Sequence, residues 1–384
     1  MNAIAMAQLA LGLTMLVVTG LFVRTMIWYQ RVDTGFGIEN RVVASLNIGE
    51  RHGEAEGKRL LRQRTTSLAA MPTIRSVSVA RVGPLMPGSP VMNVRVDGSR
   101  AGADLEETRV PFNIVDTAYF TTMDIPLQEG RHFNATDDVN SRPVAMVSES
   151  FVKRHWPGTR AVGRTLQANE GTTTFEVVGV AADVHDSCLA CDPRPYVYLA
   201  FAQRFPRIVT LHIHSEGSTA LAKTLLREQI TALDPNLEPR NVMTVADWVG
   251  TDLWLSRTAA TVALGLGAFA LVLASVGVYG VIALSVSQRT RELGLRIALG
   301  ASRQDVMRLM GKRAVMLVGS AIGVGLLFSI MAGLGLSGLV FGVSPRDPST
   351  YAAALLLIVA VSAIATYIPA RRAASVDPLI SLKL

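Results

Sequence analysis

The sequence predicts a membrane protein with four transmembrane α-helices and a large α+β extracytoplasmic domain inserted between the first and second of them. Three observations lead there. Stretches 4–23, 258–286, 314–341 and 351–368 contain no Asp, Glu, Lys or Arg. Each reaches about the 18–20 residues that a helix needs to cross the hydrocarbon core, and buried helices of a soluble protein explain such lengths poorly. More than two hundred residues of mixed strand and helix pattern separate the first stretch from the second. Finally, loop 288–313 carries Arg289, Arg291, Arg296, Arg303, Arg308, Lys312 and Arg313 against Glu292 and Asp305. With Arg371, Arg372 and Lys383 against Asp377 in the tail, it accounts for the whole formal net charge of +7. A short, arginine-dense loop between spans stays on the cytoplasmic side, where anionic lipid attracts it.

The first stretch has no Lys or Arg before it and no A-x-A site ahead of Arg24, so it reads as a retained anchor rather than a cleaved signal peptide. With loop 288–313 inside, both termini are cytoplasmic, 24–257 is outside and 342–350 is a short outer loop. Trp28, Tyr29, Trp254 and Tyr351 then fall together at the outer interface, where amphipathic rings settle. The chain divides into a first helix and stalk (1–37), an extracytoplasmic domain (38–250) and a permease domain (251–384). Within the outer domain, alternation predicts strands at 41–48, 74–82, 91–97, 109–115, 175–180 and 207–214. In the last of these Ile208, Thr210, His212 and His214 share one face, and Val209, Leu211 and Ile213 the other. Helical patterns fit 54–70, 148–155 and 218–233, the last with Ser218 as its N-cap. The absence of a sustained βαβ rhythm favours α+β.

Candidate chemistry is sparse. Gly158 and Gly163 with Arg164 and Thr165 imitate a phosphate loop, but the lysine is missing and the preceding residues end a helix, so the segment reads as a turn. Cys188 and Cys191 form a lone C-x-x-C. A disulfide or free thiols are expected before a metal or redox site, because no obvious fourth ligand lies nearby. His212 and His214 would suit an edge-on metal, though a pair of surface histidines is the simpler reading. There is no G-x-S-x-G elbow, no metal site and no catalytic constellation, so no enzyme is expected. The spans lack the charged residues of ion-coupled transporters. They are instead rich in glycine, including Gly319-x-x-x-Gly323 and Gly338-x-x-x-Gly342, which lets helices approach closely. The basic excess is confined to membrane flanks without aromatic interleaving, which argues against nucleic acid.

In the basic loop, Leu293, Leu295, Ile297 and Leu299 interleave with Arg291, Glu292 and Arg296 and end at Gly300, a helix C-terminal residue. Ser302 would cap a second helix with Asp305 in its first turn, giving a helix–turn–helix beside the membrane. This segment, RTRELGLRIALGASRQDVMRLM, is preceded by GVYGVIALSVSQ and followed at the end by PARRAASVDPLISL. Together they resemble the permease of MacB/FtsX/LolE-type ABC transporters. VSESFVKRHWPGTRAVGRTL, VVGVAADVHD and DPRPYVYLAFAQ are similar to that family's extracytoplasmic core. AQLALGLTMLVVTGLFVRT followed by DTGFGIEN resembles the second half of the duplicated orphan permeases.

The resemblance implies a permease subunit of a plasma (inner) membrane transporter, paired with an identical or paralogous chain. It would relay the motion of a separate cytoplasmic ATPase to the outer domain for export or extraction of a substrate. Arg291, Glu292, Leu293, Gly294, Leu295, Arg296, Ala298, Leu299, Gly300 and Ala301 would touch the ATPase. ATP would bind the partner, with no cofactor in this chain, and an extracytoplasmic adaptor is a further partner the resemblance allows. Segments 24–36 and 246–257 would act as stalks. The outer domain would split into flanks (38–110 and 205–250) and an inserted part (111–203). A regulatory scaffold for an extracytoplasmic hydrolase, and an orphan membrane protein without a motor, are the other readings.

Overall fold

The computed structural model describes the chain apart from residues 1, 30, 51, 87, 97–106, 169–171, 190, 234–238, 253, 289–302, 339 and 374–384. In chain order the elements begin with α1 (Asn2–Tyr29), β1 (Arg41–Asn47), α2 (Glu54–Ala69), β2 (Ile74–Ala80), β3 (Val91–Val96), β4 (Thr108–Val115) and α3 (Tyr119–Thr122). There follow β5 (Leu127–Gly130), β6 (Val144–Ser148), α4 (Glu149–His155), β7 (Thr165–Ala168), β8 (Thr173–Ala181), β9 (Val197–Ala200) and β10 (Ile208–Ser215). The last are α5 (Thr219–Leu233), β11 (Arg240–Thr244), α6 (Val245–Asp252), α7 (Trp254–Ser287), α8 (Arg303–Gly335) and α9 (Pro348–Ala373). They form two compact units, Val32–Leu253 and the union of Met1–Arg31 with Trp254–Leu384.

The first of these units holds two hydrophobic cores. One is an antiparallel ladder in the order β11-β1-β10-β2. Alternation puts Val42, Ala44 and Leu46 opposite Ile213, Leu211 and Val209, and Val77 and Val79 opposite Ile213 and Leu211. This face is buried against Leu61 and Leu68 of α2 and against Ala222, Leu226 and Ile230 of α5, the last three spaced one helical turn apart. The second core is a closed ring. The path β4-β3-β7-β8-β6-β9 returns to β4 through a parallel β4–β9 pairing, which leaves no free edge within it. Val94, Val110, Ile114, Val147, Leu166, Phe175 and Val197 fill the ring, and Phe151 and Trp156 close it from α4 and its end. Ser148 caps α4 by accepting from the Phe151 N–H at 3.3 Å. The ring takes in β3 and all of β4, so its core begins at Val94, inside the flank that the sequence assigns to the other part.

The second unit is a bundle of α1, α7, α8 and α9. Each contains an apolar run long enough to span a membrane: Ala3–Tyr29, Arg257–Leu284, Val315–Gly335 and Pro348–Tyr367. Leu9, Leu13, Val17 and Leu21 make one face of α1 and pack on Ala274, Val278 and Ile282 of α7, Ala321 of α8 and Ile358 of α9. Small residues permit the closest approach. A Cβ on Gly325 would lie 3.1 Å from both the Cα and the carbonyl oxygen of Ala10, so α8 meets the α1 backbone there. Three hydroxyls inside the spans donate to their own helix: Thr14 to Ala10 O at 2.9 Å, Ser275 to Leu271 O at 2.7 Å and Ser329 to Gly325 O at 2.7 Å. These bonds satisfy the three hydroxyls without water.

Candidate functional site

The expected coupling residues Arg291, Glu292, Leu293, Gly294, Leu295, Arg296, Ala298, Leu299, Gly300 and Ala301 lie outside the described residues, as does Ser302. Their flanks are described. α7 ends at Ser287, and α8 runs unbroken from Arg303 to Gly335. The helix expected after Ser302 and the third span are therefore one element of 33 residues, about 50 Å long at 1.5 Å per residue. The helix stops at Gly335, short of the Phe341 that bounds the uncharged run in the sequence.

The opposite end of the bundle is tied by polar and aromatic contacts. Asp347 precedes Pro348, the first residue of α9, and accepts from the Thr350 N–H at 2.8 Å and hydroxyl at 2.7 Å. It also accepts from the Ser349 hydroxyl at 2.7 Å and pairs with Arg24 of α1. The hydroxyl hydrogen bonds from Thr350 and Ser349, with Arg24 beside them, hold its carboxyl well below the usual range. Trp28 lies against Gly342, whose φ of +68° suits glycine, and Tyr29 stacks edge-on with Phe341. Sequence reading grouped Trp28, Tyr29, Trp254 and Tyr351 but missed Arg24–Asp347. The Asp-Pro-Ser-Thr run, an N-cap followed by proline at the first helical position, was the available signal.

In the outer domain the two cores meet where β2 and β4 pair at a single bridge, Ala80 with Val115. Side chains bond the rest of the splayed strands. Asn113 accepts from the Val82 N–H at 3.1 Å and donates to Val82 O at 2.7 Å. Asp116 accepts from the N–H groups of Val79 at 2.8 Å and Ala118 at 3.1 Å. Desolvation outweighs those donors and pushes the Asp116 carboxyl up to about 7. A cavity of about 310 Å³ opens beside it between α2 and loop 133–138, with Lys58 and Arg62 on its wall. Neither Asn113 nor Asp116 carried a sequence signal, because their role depends on two strands far apart in the chain.

The histidine expectation needs correction. His212 is fully buried, not on the surface, because α3 covers that face and Tyr119 meets its ring edge-on at 5.5 Å. Burial lowers its pKa to about 3. His214 lies 3.5 Å from the Arg41 guanidinium, a cation that opposes a metal ion. Among the described residues no cluster of three or more metal donors occurs. Cys188 and Cys191 are bonded to one another, with Cα atoms 5.5 Å apart. Their loop is anchored by the Asp186–Arg194 ion pair at 2.6 Å and by buried Leu189. Gly158 and Gly163 adopt φ of +69° and +88° in the turns leading to β7.

Comparison with known proteins completes the picture. The family described as MacB-like periplasmic core domain matches residues 3–231, and the family described as FtsX-like permease C-terminal matches 264–378. The macrolide export ATP-binding/permease protein MacB of Azoarcus sp. (strain BH72) is 26% identical over 296 residues, covering 73% of this chain and 43% of that protein. MacB of Rhodospirillum rubrum is 28% identical over 302 residues, 74% of this chain and 44% of the relative. The pyoverdine export ATP-binding/permease protein PvdT of Pseudomonas putida is 27% identical over 276 residues, 67% and 40% of the two chains. The chain thus spans less than half the length of these relatives.

Proposed function

The chain belongs to the MacB/FtsX/LolE permease superfamily, a multi-pass membrane protein with an extracytoplasmic domain, and from that premise we propose that it is the permease subunit of a MacB-type ABC transporter. It relays ATP-driven motion of a separate cytoplasmic ATPase to the outer domain, for export or extraction of a substrate on that side. Residues 291–301 receive the push, with both termini on the cytoplasmic side of the plasma (inner) membrane. A second permease chain, identical or paralogous, completes the assembly.

The observation that carries this reading is the continuity of α8. A helix transmits axial displacement as a rigid body, and α8 begins one residue after Ser302 and meets the α1 backbone at Gly325. A displacement at the connector therefore reaches α1, which the chain joins to β1 of the outer domain through residues 30–40. Uncharged spans suit a relay of movement better than a relay of ions.

Co-purification tests it. The full chain should bring down an ABC ATPase from its own cell, and Leu295→Asp with Leu299→Asp should abolish that recovery while leaving the permease in the membrane. Full activity of the chain with no ATPase bound would exclude the reading.

A further inference from the structure

The face of the β11-β1-β10-β2 ladder opposite α2 and α5 is only partly covered. α3 packs over the His212 end, and the other end presents Ser45, Thr210 and Ile208, the last 52% exposed. A cavity of about 900 Å³ lies there, walled also by Met86, Phe112 and Trp248. A second, of about 780 Å³, lies against the ring beside Met92 and Phe175, and the two share Phe112 and Arg204 as a common wall. Volumes of this size suit an organic ligand, and the mix of rings and aliphatic groups suits an apolar one.

The charge of the lining is one-sided. Arg81, Arg204 and Arg207 line the larger cavity, and Arg109 with Arg204 the smaller. The acidic group on these walls is Glu54, already paired with Lys58 at 2.8 Å. Among the described residues none of the four arginines has a carboxylate partner. Two are held over rings, Arg81 at 5.5 Å from Phe112 and Arg204 at 5.3 Å from Phe175. A guanidinium over a ring face keeps N–H donors available to an anion. Arg81 is also desolvated enough to lower its pKa from the usual value, with no counter-ion to offset that cost. An anion entering the cavity would offset it through charge-assisted, bidentate hydrogen bonds.

We propose that this groove binds an amphipathic organic anion, with its carboxylate, phosphate or sulfonate head on Arg81 and Arg204 and its apolar body along Phe112, Ile208, Met86 and Trp248. The site rests on the outer domain's own geometry and needs neither ATP nor a partner subunit, so it stands or falls apart from the transport reading.

The test is calorimetric titration of the full chain in nanodiscs of zwitterionic phosphatidylcholine. The probe is 2-naphthoate, with 2-naphthylmethylammonium as its cationic counterpart. Saturable binding of the anion is expected, with none of the cation. Arg81→Gln with Arg204→Gln should weaken binding at least tenfold at an unchanged melting temperature. Ile208→Trp should block the groove while both guanidiniums remain, and it decides the matter if the arginine variant does not fold. Displacement of naphthoate by soluble dihexanoyl phosphatidate would extend the class to lipid headgroups. Resistance to it, with displacement by 2-naphthyl phosphate, would confine the class to free anions. No binding to the native chain, equal binding of the cation, or unchanged binding to the folded arginine variant would overturn the proposal, as would native affinity in Ile208→Trp.

Discussion

Asp116 and His212 both pack beside α3, and burial moves their proton affinities in opposite directions, up to about 7 and down to about 3. Between about pH 4 and 7 the folded chain holds the Asp116 proton that the unfolded chain has lost. Its stabilising effect is complete below pH 4 and disappears as pH rises through 7. His212 is neutral in the fold and charged when unfolded between about pH 3 and 6.5, so its effect is present above 6.5 and disappears as pH falls. Each slope approaches about 1.4 kcal/mol per pH unit, and from about pH 4 to 6.5 they cancel. Thermal unfolding of the outer domain in the full chain should therefore vary little over that range through these two groups. Asp116→Asn should make stability rise with pH, and His212→Phe should make it fall. Equal profiles for the two variants would remove the argument. Alternation along 208–214 assigned His212 to its face correctly. What covers the face is α3, four residues long, and four residues show no period to read.

At the scale of elements, the glycines of the spans divide into two kinds that composition cannot separate. Gly267, Gly277 and Gly325 press on Thr19, Gln8 and Ala10, all of α1, whereas Gly265, Gly280, Gly319 and Gly323 face open space within this chain. Gly325→Leu should force α8 off α1 and cost about 1–3 kcal/mol, seen as a lower melting temperature in detergent. Gly319→Ala should leave it unchanged or slightly raised. Equal effects would mean that α1 and α8 do not meet at Gly325. The strands show a similar division. β1, β2, β3, β4, β8 and β10 were legible within two residues because each offers six to nine positions over which a strand pattern can be read. β6 and β9 are buried on every residue and so do not alternate, while β5 and β7 have only four residues each. The closing of the ring by β4 on β9 rests on partners more than eighty residues apart, beyond any local pattern.

At the scale of the molecule, the four spans were evident from their length and lack of charge, yet nothing in their composition ranked them. The structure puts α1 at the centre, with 56% of its apolar window buried against 28%, 17% and 28% for the other three. Each span is apolar enough for lipid on every side, so hydropathy cannot tell a central helix from a peripheral one. The basic connector was the clearest feature of the sequence, and its arginine bias predicts a cytoplasmic location by a rule of insertion rather than of folding. That placement underlies the coupling to an ATPase, and accessibility of a single cysteine tests it most directly. In a Cys188→Ser, Cys191→Ser background, Ser302→Cys and, as an outer-domain reference, Asn140→Cys would be exposed to a membrane-impermeant maleimide in intact spheroplasts. The account predicts that position 140 reacts at once and position 302 only after permeabilisation; reaction at 302 from outside would contradict it.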